Sequence, residues 1–197
     1  MPHGFTVMWA KDQCVKLQKA GEAGKPVTVL FGGIHQSAPS LKRAGIESGD
    51  VVFPLWVNQK NLYVLTGVVV EELIDLSAYA VNQLGMDPVE IEGRPEYAIK
   101  QLIGEKFGYL GHRSPYGCGI EVFLVERSTV LRFDNPVPGD QLSAIRFCPR
   151  KSPPAGLLHV DEGKLKSNVS LSGNIRRLCP ETARSFARLV GLENSGL

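Results

Sequence analysis

The chain has 197 residues, 43% of them hydrophobic and 21% charged, which provides enough apolar material for one substantial core and predicts a single domain. Its formal net charge of +2 excludes a protein that is basic over its whole surface, so any basic surface must be local. No segment approaches the roughly 20 consecutive apolar residues of a membrane span, and the first residues lack the pattern of a secretory signal, so we expect a soluble, cytoplasmic protein without a membrane partner.

The cysteines and histidines show no metal-binding or redox pattern. The four cysteines are at least 30 residues apart, whereas zinc knuckles and dithiol sites use closely spaced pairs. No two histidines have the spacing that helix- or strand-borne metal ligands require. We therefore expect reduced thiols, no disulfide framework, no metal and no cofactor.

The first half of the chain predicts a helix, a strand, a short helix and a long hairpin. Apolar periodicity indicates a helix over 11–20, and the β-branched run over 27–31 indicates a strand that ends at Gly32-Gly33. A short helix is predicted over 37–44. The polar turn 58–61 separates two apolar arms, over 51–57 and 62–73, which predicts a β-hairpin. Because the second arm is almost continuously apolar, we expect part of it to be buried on both faces, as in a barrel or sandwich, with Gly67 at a bulge.

The second half predicts further helices and strands around that hairpin. Helices are expected over 75–84 and 95–107, a glycine-rich loop over 108–119, and strands over 120–125, 128–133 and 142–147. A linker rich in proline and basic residues covers 149–154. The final helix is predicted to begin at Pro180, with apolar residues at helical spacing as far as Val190.

Short motifs accompany this order of elements: Trp9-Ala10, Leu17, Gly24-Lys25-Pro26-Val27-Thr28, Gly49-Asp50-Val51-Val52 and Val70-Glu71-Glu72. Together, the motifs and the order of the elements resemble the PUA-like superfamily and, within it, the ASCH domains. The resemblance implies an α+β fold with a small PUA-like β-barrel, flanking helices and a C-terminal helix. In this interpretation residues 1–148 form the barrel domain, and 149–197 form a linker and a basic helical extension packed on it.

The same resemblance implies a module that binds RNA or a modified nucleobase in a cleft of the barrel. Such a cleft needs a stacking aromatic ring and a few polar groups for the base edge. The candidates for ligand binding are Trp9, Lys25, His35, Trp56 and Tyr116. Aromatic rings at such positions also serve as ordinary packing, which is the alternative for each of them.

Some ASCH domains are similar to small amidohydrolases that remove the acyl group from N4-acylated cytidine nucleosides, which implies an enzymatic alternative. Lys25, Thr28 and either Glu71 or Glu72 match the Lys, Thr and Glu of that group. A lysine in a partly apolar cleft loses its proton and activates a threonine hydroxyl, while the acid protonates the leaving amine. In the plain alternative, Lys25 is solvated in a turn, Thr28 is a β-branched strand residue and Glu72 lies at the surface.

Basic residues are concentrated near the end of the chain, where they predict contacts with nucleic-acid phosphates. The arginines proposed for this role are Arg176, Arg177, Arg184 and Arg188, with Lys164 and Lys166 nearby in sequence. Arg184 and Arg188 are one helical turn apart, and such residues position a nucleic acid without reading its bases. RNA or a nucleoside is thus the expected partner, and a protein-interaction domain is a further alternative.

Overall fold

The structure is a computed structural model that describes residues 2–33, 39–93, 119–171, 175–192 and 196–197. The predicted helix over 95–107 and all but the last residue of the loop that follows it lie outside the described residues. So do two candidate ligand-binding residues, His35 and Tyr116. In the described part, no helix is long and apolar enough to cross a membrane.

The chain folds as a mixed α+β protein with a mostly sheet core. The strands are β1 (Gly4–Met8), β2 (Val29–Gly33), β3 (Val51–Asn58), β4 (Asn61–Val64), β5 (Val68–Asp75), β6 (Gly119–Ser128), β7 (Arg146–Phe147), β8 (Ala155–Gly156), β9 (Val160–Asp161), β10 (Lys164–Leu165) and β11 (Arg176–Arg177). The helices are α1 (Lys11–Lys19), α2 (Leu41–Ala44), α3 (Leu76–Leu84), α4 (Pro88–Ile91), α5 (Gly139–Leu142) and α6 (Pro180–Leu189).

The main sheet has seven strands and is not a closed barrel among the described residues. Its order is β11-β1-β3-β5-β6-β2, with β4 paired to β3 beside this path. The β1–β3 pair is parallel and the other pairs are antiparallel. The predicted barrel is therefore wrong for this part of the chain. The physical reason is that the second hairpin arm breaks in two, so β4 and β5 pair with different ends of β3 and the sheet branches there.

The hairpin itself is confirmed. Residues Asn58 and Asn61 face each other across a two-residue turn in which Gln59 and Lys60 both have positive φ, as tight hairpin turns require. The break between β4 and β5 falls at 65–67, next to Gly67. A Cβ on Gly67 would lie 3.1 Å from side-chain atoms of Leu192 and Val190, so the glycine lets the C-terminal segment approach the sheet.

Side chains of β3 alternate between two apolar cores, which shows that the sheet is covered on both faces. Phe53 and Leu55 belong to the core that contains Phe186 of α6, and the Phe53 and Phe186 rings meet edge to face at 5.7 Å. Val52 and Trp56 belong to the core on the α1 side. A third cluster lies under α3. Alternation of this kind follows from the two-residue period of a strand.

Several predicted elements are confirmed and others are wrong. Helices α1, α3 and α6 and strand β6 match their predictions closely. Ser128 ends β6, and the rest of the predicted strand over 128–133 is an irregular segment with an isolated bridge at Val130. The predicted strand over 142–147 splits into the end of α5 and the two-residue β7.

The expectation of reduced cysteines and no disulfide is wrong for one pair. Cys148 and Cys179 form a disulfide across a sequence separation of 31. Two backbone hydrogen bonds bring them together, from Cys148 N to the Arg177 carbonyl at 2.9 Å and from Cys179 N to the Arg146 carbonyl at 3.0 Å. The pairing depends on long-range backbone contacts, so the sequence spacing of the cysteines gave no sign of it.

Candidate functional site

A cleft of about 380 Å³ lies where the segment after β7 meets β11 and the end of α2. Three arginines and four apolar residues line it: Arg150, Arg176, Arg177, Ala44, Phe147, Pro149 and Ile175. None of these lining residues is acidic. The cleft therefore combines a concentrated positive charge with an apolar wall.

Arg176 is held in place by its contacts within the protein. Backbone pairing of Arg176 with Thr6 fixes β11 at the edge of the sheet. The Arg176 guanidinium carbon lies 3.7 Å above the Phe147 ring, and Nη1 donates a 2.6 Å hydrogen bond to the Ser170 carbonyl. Burial lowers the pKa of Arg176 from its usual value, yet an arginine side chain stays charged in proteins.

Arg150 reaches the cleft through a contact that spans 105 residues of sequence. Its Nη2 donates a 3.1 Å hydrogen bond to the carbonyl of Gly45. Gly45 ends α2 with φ +78°, and a Cβ there would overlap the Arg150 guanidinium. Glycine suits this position for two reasons. It adopts the left-handed conformation that ends the helix, and its lack of a side chain leaves room for the Arg150 guanidinium.

The Cys148–Cys179 disulfide joins the two segments that carry the arginines. Cys148 lies between the lining residues Phe147 and Pro149, and Cys179 lies two residues after Arg177. One covalent bond therefore fixes the position of Arg150 relative to Arg176 and Arg177.

The predicted basic residues fall into two groups. Arg176 and Arg177 line the cleft, whereas Arg184 and Arg188 lie on the exposed side of α6 and do not line it. Arg184 forms an exposed ion pair with Glu181 at 3.5 Å. Arg150 lies in the basic, proline-rich linker, and it is a functional candidate that the sequence alone does not single out.

The two candidate tryptophans are packed in the apolar core of the α1 side. Trp9 is 2% exposed and Trp56 is 5% exposed. The Trp56 ring packs against Tyr63 at 5.2 Å and against Phe133 at 5.9 Å between ring centroids. Neither ring lines the arginine cleft, so stacking of a base on either ring would require this core to open.

The structure does not bring the proposed amidohydrolase residues together through any bond among the described residues. Lys25 is 57% exposed and forms an ion pair with Glu22, with 2.8 Å between Nζ and Oε1. Thr28 and Glu72 are also exposed.

Glu121 is a buried carboxylate that the sequence reasoning did not single out. It is 7% exposed and accepts hydrogen bonds from the Ser40 hydroxyl at 2.6 Å and from the backbone N–H groups of Leu41 and Lys42 at 2.9 and 3.2 Å. A Cβ on Gly32 would lie 2.6 Å from its Oε2 atom, so Gly32 leaves room for the carboxylate. Glu121 thus anchors α2, which carries Ala44 and Gly45 to the cleft.

No group of three or more His, Cys, Asp and Glu side chains among the described residues is arranged to hold a metal ion.

Comparison with solved structures gives only weak likenesses, of which two follow. No protein-family model and no curated protein matches the chain. A hypothetical protein from Leishmania major is 13% identical with a TM-score of 0.40, and the match covers 98% of this chain and 97% of that one. A mutant of ZmASCH from Zymomonas mobilis is 16% identical with a TM-score of 0.32, over 87% of this chain and 99% of the other. The second likeness is to an ASCH protein.

Proposed function

We propose that the protein is an RNA-binding module that contacts phosphate groups through Arg150, Arg176 and Arg177. The observation that carries this proposal is that all three arginines line one cleft with no acidic residue among its described lining residues. A guanidinium presents five N–H donors in a plane that matches phosphate oxygens. Local concentration of charge also explains how a chain with a net charge of only +2 binds a polyanion.

The apolar side of the cleft favours a nucleotide over a bare anion. Phe147, Pro149 and Ile175 offer surface to a sugar or a base, while the arginines take the phosphate. Within this proposal the chain is a PUA-like, ASCH-type module in which 149–197 form a basic extension of residues 1–148. The cleft then lies where the two parts meet.

The test is binding of a fluorescently labelled single-stranded RNA, followed by anisotropy over a range of salt concentrations. Neutralisation of one to three phosphates predicts a slope of log K against log salt between about −0.7 and −2, because each neutralised phosphate contributes about −0.7 for a single strand. Arg177→Gln is expected to weaken binding and to reduce the slope by about 0.7.

The matched control is Arg132→Gln, because Arg132 is exposed, is paired with Asp134 and does not line the cleft. The control variant should bind as the wild type does. Binding that does not depend on salt, or an equal loss in both variants, would refute the proposed site. No contact among the described residues favours the amidohydrolase alternative.

A further inference from the structure

We infer that the cleft binds the phosphate monoester of a nucleotide, as found at the phosphorylated end of a strand, in preference to an internal phosphodiester. This inference rests on the proposed function and names its substrate class. The size of the cleft favours a single nucleotide. A volume of about 380 Å³ is at the lower end of the range for small-molecule sites, which suits one nucleotide rather than a run of them.

The charge of the cleft also favours a monoester. Three arginines line one small cleft, and its described lining residues carry no compensating carboxylate. An internal phosphodiester brings a single negative charge, whereas a phosphate monoester carries roughly −1.5 to −2 near pH 7 and has three terminal oxygens. A monoester therefore compensates the arginines far better than a diester does.

Two of the guanidinium groups are held in place before any ligand binds. The contact of Arg176 with Phe147 and its hydrogen bond to Ser170 fix one guanidinium plane, and the Gly45 carbonyl fixes that of Arg150. Each of these hydrogen bonds uses one of the five N–H donors, and the described residues accept no further hydrogen bond from either guanidinium group. Fixed donors lose little conformational entropy when a compact, multiply charged group binds.

The experiment compares RNAs of one sequence that differ only at their ends. The probes carry a 5′-phosphate, a 3′-phosphate, hydroxyls at both ends, or a 5′-phosphate blocked as its methyl diester. A nucleoside monophosphate serves as competitor. We expect the preferred phosphorylated end to bind at least tenfold more tightly than the hydroxyl-ended strand, with the methyl diester close to the latter.

Variants of the arginines show whether the cleft causes the preference for a phosphorylated end. Arg177→Gln and Arg150→Gln should each remove most of it, and Arg132→Gln should retain it, with thermal unfolding used to show that all three are folded. The comparison of 5′- and 3′-phosphate identifies which end is bound.

The outcomes separate the two proposals. Equal affinity for all four probes, with binding that still depends on salt and on Arg177, overturns the monoester inference and leaves the RNA-binding proposal intact. A preference that survives both cleft variants also overturns it. Absence of binding to every probe overturns both proposals.

Discussion

Reduction of the Cys148–Cys179 disulfide is expected to destabilise the protein strongly. The bond closes a loop with a sequence separation of 31. In the chain-entropy description, releasing a loop of this length lowers the free energy of unfolding by about 3.7 kcal/mol at 25 °C. With a urea m-value of about 2 kcal/mol/M, the midpoint should fall by about 1.8 M.

The assay is a pair of urea titrations, with and without a phosphine reductant. The double variant Cys148→Ala/Cys179→Ala should resemble the reduced wild type and should not respond to the reductant. A thiol count on denatured, unreduced protein provides an independent check, since no more than two of the four cysteines should react. Reaction of all four, or a midpoint shift below about 0.5 M, would refute the structural reasoning.

Four further results are expected. Reduction of Cys148–Cys179 should also weaken RNA binding by about tenfold, because the two arginine-bearing segments lose their covalent link. Ordering these segments on binding then costs about 1.4 kcal/mol of binding free energy. The RNA affinity of the double cysteine variant should not respond to reductant. Burial, with a smaller contribution from Asp12, raises the pKa of the Cys14 thiol to about 12, so this thiol should not react with a disulfide reagent at pH 8 until the protein unfolds. Glu121→Ala should lower the free energy of unfolding by about 3 kcal/mol in urea titrations, because its buried hydrogen-bond donors lose their acceptor, whereas the exposed Glu126→Ala control should change it by less than about 0.5 kcal/mol. Lys25→Ala should change the free energy of unfolding by less than about 0.5 kcal/mol, because its ion pair is exposed. The wild type should not hydrolyse N4-acetylcytidine in a chromatographic assay. Turnover by the wild type that disappears in Lys25→Ala would support the amidohydrolase alternative instead.

Elements with strong local signals were predictable from the sequence. The hairpin turn at 58–61 carries polar residues between two apolar arms, and α6 combines Pro180 at its start with regular apolar spacing. Both signals lie within about ten residues of the feature that they predict. The chain needs no distant contact to specify them.

Features that depend on distant partners were not predictable. Strand β1 was missed because its two neighbours, β3 and β11, lie far along the chain. The barrel prediction failed because apolar residues at 62–73 show burial but not the break at 65–67. Arg150 was missed as a site residue because its position depends on Gly45, 105 residues earlier.

The same long-range contacts that make the cleft hard to predict from the sequence also make it a stronger candidate for the proposed binding than the exposed face of α6. Arg184 and Arg188 were easy to select because they share a helix face, yet exposed arginines lose considerable side-chain freedom when they bind a ligand. Arg150 and Arg176 have already lost part of that freedom on folding, through their contacts with Gly45, Phe147 and Ser170. Substitutions in the cleft should therefore reduce affinity more than the same substitutions on α6, although both remove one positive charge.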